Sequence, residues 1–271
     1  MGEVMAVIII LLLIVMVFVP LAYLNYTSAS NEEVKQTLNL SCKVIVNNIE
    51  NRAANLEGIS KGYYMDDISQ VNIDMNKLLG DFDELIRYNS GDGESFDKIK
   101  RSILLKALVL KDKFFMTKKV ETLPGVFEDQ WGPPYFFTTA IYEGGKENLI
   151  YLNTKDDRVV YFEGGTEKRD KVLSDFQGGI TRKEKSQLII DKINLEMEKA
   201  TREIGVRKGI GVKIRNPYDT GIDNAINYAN VNVLDGGITF FVLYGDNTLL
   251  NANGKDFNFK NYNVAGYSMS Y

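Results

Sequence analysis

Histidine is missing from this chain, and cysteine occurs once. The first absence removes the Ser-His-Asp triad, the Cys-His pair and any zinc site that uses histidine ligands. The second leaves Cys42 without an internal disulfide partner. An exported protein from a cell that avoids disulfides fits this, and so does a cytoplasmic one. No segment holds a dense Lys/Arg cluster, and the formal charge is −4. That argues against a nucleic-acid partner. No Gly-rich stretch ends in Gly-Lys-Ser/Thr, so a phosphate loop is excluded. No nucleophile or metal motif stands out. The composition reads as that of a non-enzyme with no cofactor.

The long apolar run lies at the start. Val4 to Val19 is apolar without a break, and Pro20, Leu21, Ala22, Tyr23 and Leu24 follow. As a helix, Val4–Leu24 is roughly 30 Å long, the thickness of a bilayer's hydrocarbon core. A helix apolar on all sides has no face to offer water. Residues 1–24 therefore read as a membrane anchor, with membrane lipid as its partner. A cleaved secretory signal is a competing reading, with Ser28-Ala29-Ser30 as the cutting site. Against it, the first basic residue is Lys35, and the apolar run is long for such a signal. Lys35 and Lys43, diluted by Glu32 and Glu33, specify orientation weakly.

Residues 25–58 read as an amphipathic stalk. Val34, Leu38, Cys42, Ile45, Ile49 and Leu56 form a near-heptad stripe, and Gly58 is a stop. Residues 59–118 read as a helical hairpin. One helix spans about Asp66 to Tyr88 on Val71, Met75, Leu78, Phe82 and Leu85. The other spans about Ser95 to Thr117 on Phe96, Ile99, Ile103, Ala107, Leu110 and Phe114.

Residues 119–271 read as an α+β head. Strand-like runs are Tyr135–Tyr142, Leu149–Leu152, Val159–Phe162, Gly211–Arg215, Val231–Leu234 and Ile238–Tyr244. Glu143-Gly144-Gly145 and Glu163-Gly164-Gly165 repeat the same turn chemistry. Thr166–Phe176 is a short helix candidate. Thr181 and Glu184 form a capping box that opens a helix with Ile190, Ile193, Met197, Ala200 and Ile204 on one side. Its charged side reads as solvated surface. The fold class expected is α+β: a long N-terminal membrane and stalk helix, a helical hairpin, then a mainly antiparallel sheet with one long amphipathic helix.

Candidates for chemistry are few. Asn251 to Asp256 alternates oxygen ligands like a calcium loop but lacks the terminal Glu, and Asn253-Gly254 is a strong hairpin signal. Glu143 and Glu163 form an acid/base pair only if their loops meet.

The layout resembles type IV pilin-like proteins. The apolar half-helix Val4–Val19 with Pro20 near its end, the amphipathic continuation Val34–Leu56 and a C-terminal α+β head carry the likeness. Gly2-Glu3 resembles the glycine before a pilin cleavage point and the family's N-terminal glutamate, although in that family the glutamate lies further into the mature chain. Met197 to Tyr271 is similar to membrane-anchored minor pilins of Tad-type (tight adherence) loci in Gram-positive bacteria. There too a charged helix, a loop, an apolar strand (here Gly237–Phe241) and an Asn/Tyr-rich ending follow in turn. The resemblance implies a non-catalytic subunit or accessory of a surface filament or secretion apparatus. Its partners would be other pilin-like subunits or secretion machinery, and its head would be extracytoplasmic. It implies assembly roles for Glu3 and Pro20 and processing at Gly2. The alternative is a ligand-binding extracytoplasmic domain of a single-pass membrane protein.

Overall fold

A computed structural model describes residues 2–55, 74–124, 126–143, 145–155, 157–163, 165–176, 180–203, 211–218, 227–229, 231–234, 237–252 and 255–269. The architecture is α+β with mainly antiparallel sheets. Helix α1 spans Gly2–Asn55, and its helical backbone runs unbroken across Pro20. The side chains of residues 2–15, 20, 23–27 and 50–55 lie outside the described set. So do residues 56–73, and with them Leu56, Gly58 and the start expected for the second helix.

Helix α2 (Met75–Asn89) opens at Asp74, whose backbone is extended and whose carboxylate accepts the Lys77 N–H at 3.0 Å, so the expected helix does not run unbroken from Asp66. Leu78, Phe82 and Ile86 are buried at spacings of one turn. Gly91, at φ +78°, turns the chain. Helix α3 (Gly93–Ser102) opens at Asp92, which accepts from the Ser95 N–H at 2.7 Å.

The expected continuation of α3 to Thr117 does not occur. Ile103–Val109 is strand β1, and Lys113–Leu123 is strand β2. The run from Ile103 to Leu110 is apolar on every side except at Lys106, so its helical spacing was fortuitous. Such a run suits a strand covered on both faces. β1 lies between β2 and β11 (Ile238–Ala252), antiparallel to both. The boundary drawn at residue 119 falls inside β2.

The large sheet has the order β12–β11–β1–β2–β3, with β3 at Val126–Trp131 and β12 at Lys255–Met269. β4 (Tyr135–Phe136) adds to β2. The expected strand Tyr135–Tyr142 is thus split at Phe137. Its second part, β5 (Thr138–Glu143), begins a second sheet with β6 (Lys146–Tyr151), β7 (Val160–Glu163) and β8 (Thr166–Lys168). Thr166–Phe176 is therefore not a helix. Gly165, at φ +81°, folds β8 back onto β7, and only a 3₁₀ turn at Leu173–Asp175 follows.

Helix α4 (Arg182–Glu203) has the expected capping box. The Glu184 N–H donates to Thr181 Oγ1 at 3.2 Å, and the Thr181 N–H donates to Glu184 Oε2 at 2.8 Å. Ile204 and Gly205 lie outside the described residues. β9 (Val212–Ile214) pairs in parallel with β10 (Asn227–Ala229). Val231–Leu234 forms no strand, although Val231 and Val233 are buried.

β11 separates two cores through its period of two. Phe240, Val242 and Tyr244 pack with the second half of α1 and with α2 and α3. Phe241 and Leu243 pack on the other side with α4 and the second sheet. The molecule is a helical layer, a large sheet, and a layer made of α4 and the small sheet.

Candidate functional site

The stem comes first. The stalk stripe docks as its spacing requires: Leu38, Cys42, Ile45 and Ile49 are buried, with Val34 partly covered. Asn39 Oδ1 accepts the Gly266 N–H of β12 at 3.0 Å. Gly266 itself fits closely against β11: a Cβ there would sit 2.6 Å from the Cβ of its cross-strand partner Phe241. Further towards the N-terminus the packing stops. Met16, Val17, Phe18, Val19 and Leu21 are 50–69% exposed. Among the described residues no helix is long and apolar enough to cross a membrane. Most of the Val4–Val19 run has its side chains outside that set. Gly2 and Glu3 lie in the first turn of the α1 backbone, and Pro20 lies within it. The side chains of all three are outside the described set, so their assembly and processing roles have no geometry attached.

The head holds buried charge that sequence reasoning missed. Lys106 is 1% exposed in β1. Its Nζ lies 2.9 Å from Asp83 Oδ1 of α2, 2.8 Å from Asp129 Oδ2 of β3, and 5.2 Å from the centre of the Phe82 ring. Lys100 pairs with Asp83 at 2.8 Å, and Lys119 with Asp129 at 2.7 Å. Burial pushes the Asp83 carboxyl up, but Lys106 and Lys100 outweigh that and hold it below its ordinary value. Each charge in this chain of five has an opposite neighbour. The signal available was Lys106 itself, the single charge inside an apolar run.

The charged side of α4 is also less solvated than expected. Lys185 is buried against Asp157 at 3.0 Å, and Glu196 is buried between Lys192 and Lys199 at 3.2 and 2.9 Å.

Asp112 differs. It lies in the turn between β1 and β2, 8% exposed, and its Oδ1 has no hydrogen-bond partner among the described residues. Burial raises its carboxyl to about 6, against the opposing pull of Lys113, its own backbone amide, Lys111 and Arg169.

Cys42 is fully buried, and burial drives its thiol far above the ordinary value, so the sulfur packs rather than reacts. Among the described residues no group of three metal-ligating side chains forms. The Asn251–Asp256 stretch ends a hairpin: Asn251 pairs with Asp256 and Ala252 with Lys255, while Asn253-Gly254 lies outside the described residues. Glu143 and Glu163 end β5 and β7, with β6 between those strands, and their side chains are likewise outside the described set.

No family model, curated protein or solved structure matches this chain. The functional reading therefore stands on the stem and the head alone.

Proposed function

We propose that the chain is a membrane-anchored, pilin-like subunit or accessory of a surface filament or secretion apparatus, without catalytic activity. The observation that carries the reading is the contrast along α1. One face of its second half is buried against an α+β head, while further towards the N-terminus Met16–Val19 and Leu21 are large apolar side chains facing outward. Exposed apolar surface of this kind marks a contact with lipid or another protein. The apolar sequence Val4–Val19 continues it. The anchor lies in the cell membrane, the head is extracytoplasmic, and the partners are lipid and other pilin-like subunits.

A carboxylate at the edge of an apolar helix is costly in hydrocarbon unless paired. In this reading Glu3 pairs with a neighbouring subunit's amine as subunits leave the membrane. Glu3→Ala and Glu3→Gln then leave membrane insertion intact and block entry into sheared surface assemblies. Wild-type amounts of assembly from both variants would sink the pairing role. Recovery of the intact chain from the soluble fraction without detergent would sink the anchor.

The second reading, a ligand-binding extracytoplasmic domain, is favoured by one surface. The outer face of the small sheet carries Tyr142, Leu149 and Phe162 exposed, and Phe136, Tyr151 and Phe162 contact one another in series at 5.8 and 5.9 Å between ring centres.

A further inference from the structure

The Lys111–Asp112 turn is where the two sheets meet. On its own side it closes the β1–β2 hairpin, with the Leu110 N–H donating to the Lys113 carbonyl at 2.8 Å. Its carbonyls face the small sheet. The Phe137 N–H donates to the Asp112 carbonyl at 3.2 Å, and the Thr154 N–H donates to the Lys111 carbonyl at 2.7 Å. Phe137 is the residue at which the chain passes from β4 to β5, and Thr154 follows β6. Phe137 and Thr154 are themselves buried. Two side-chain oxygens in this joint lack a hydrogen-bond partner among the described residues: Asp112 Oδ1 and Thr154 Oγ1. The charged groups acting on Asp112 are Lys111 of the same turn, Lys113 of β2 and Arg169 beyond β8. They attract the ionised form but do not offset its loss of water. Asp112's own backbone amide also favours the ionised form, but a buried carboxyl with one oxygen unpartnered is tolerable when neutral and costly when charged.

We propose that the Lys111–Asp112 turn is a proton-operated joint between the two sheets, closed while the Asp112 carboxyl is neutral and loosened when it ionises. Loosening releases the Phe137 and Thr154 amides, because both are held by the carbonyls of this turn. The α1 contact with the large sheet lies on its other face and is not engaged. A head that leaves an acidic environment for a neutral one thereby gains freedom between its sheets without unfolding.

Hydrogen exchange of the full chain in detergent tests this, read at Phe137 and Thr154 and corrected for the intrinsic pH dependence of exchange. Between about pH 5 and about pH 8, protection of these two amides falls roughly tenfold in the wild type, while the β11 amides, which open only with the whole fold, stay better protected throughout. In Asp112→Asn, which keeps the shape and cannot ionise, the two amides show no such fall. An equal fall in the variant, or none in the wild type, overturns the proposal. If the variant does not fold, the wild-type infrared spectrum decides. A protonated-carboxyl band present at about pH 5, lost at about pH 8 in step with the loss of protection, supports the joint; no such band at the lower pH overturns it.

Discussion

Lys106 and Asp112 sit six residues apart on one hairpin, both buried, and their surroundings are opposite. Lys106 meets two carboxylates, each held by a further lysine on its other side. Asp112 has cations in its neighbourhood but no hydrogen-bond partner for Oδ1 among the described residues. Burial alone therefore does not decide whether a charge is tolerated. What decides is whether the groups that replace water touch the charge directly. At Lys106 the protein has replaced the water. At Asp112 it has removed the water and left the proton as the simplest remedy.

The sharpest way to break this contrast is to remove the paired charge. Lys106→Met keeps the length and apolar stem but leaves Asp129 with only Lys119 and Asp83 with only Lys100. Removal of one partner from a buried pair typically costs about 3–5 kcal/mol. Urea unfolding should lose stability towards that range; a loss under about 1 kcal/mol would mean that the outer lysines suffice.

Asp112→Asn should act in the other direction, and only above a certain pH. The carboxyl's folded value of about 6 lies above its ordinary 3.8. The folded state thus holds the proton more tightly, and wild-type stability falls as pH rises from about 4 through about 6, then levels. The asparagine variant should escape that fall and exceed the wild type by up to about 3 kcal/mol near pH 8, while the gap closes near pH 4. A gap independent of pH would show that the carboxyl does not titrate there.

Asp83 sharpens the comparison from the acid side. Its folded value is lowered, so its contribution is present above its ordinary 3.8 and lost as pH falls through the lower folded value. It is partly exposed, so screening discounts its worth, and Asp83→Asn should cost about 1–2 kcal/mol at neutral pH. The difference between variant and wild type should shrink on acidification, as measured by thermal unfolding at several pH values. The smallest effect belongs to Thr154→Val. It removes a buried hydroxyl that has no partner among the described residues, so stability should stay within about 1 kcal/mol of the wild type. A large loss would reveal a hydrogen bond made by that hydroxyl.

The sequence made some elements plain because their causes are local. The Thr181–Glu184 box and the α4 stripe need only one turn of helix to act. The stalk stripe of α1 likewise carries its period within itself. β1 was misread because Ile103–Leu110 is apolar at nearly every position, and what makes it a strand is β11, more than a hundred residues away. The same reason hid the small sheet's edge: Gly165 could be read as a turn, but not that the next three residues would return to β7. Asp112 had no signal at all. Lys111-Asp112-Lys113 looks like a solvated turn, and the amides that bind its carbonyls belong to Phe137 and Thr154, much later in the chain.

The hydrogen bond from Gly266 to Asn39 joins residues 227 positions apart. During synthesis the stalk stripe emerges early, and the strands that cover Leu38, Cys42 and Ile45 emerge last. Until β12 is in place that stripe is only partly covered, by α2, α3 and β11. A chain in which β12 is missing or misplaced thus exposes part of the stripe, which makes it a target for chaperones and proteases.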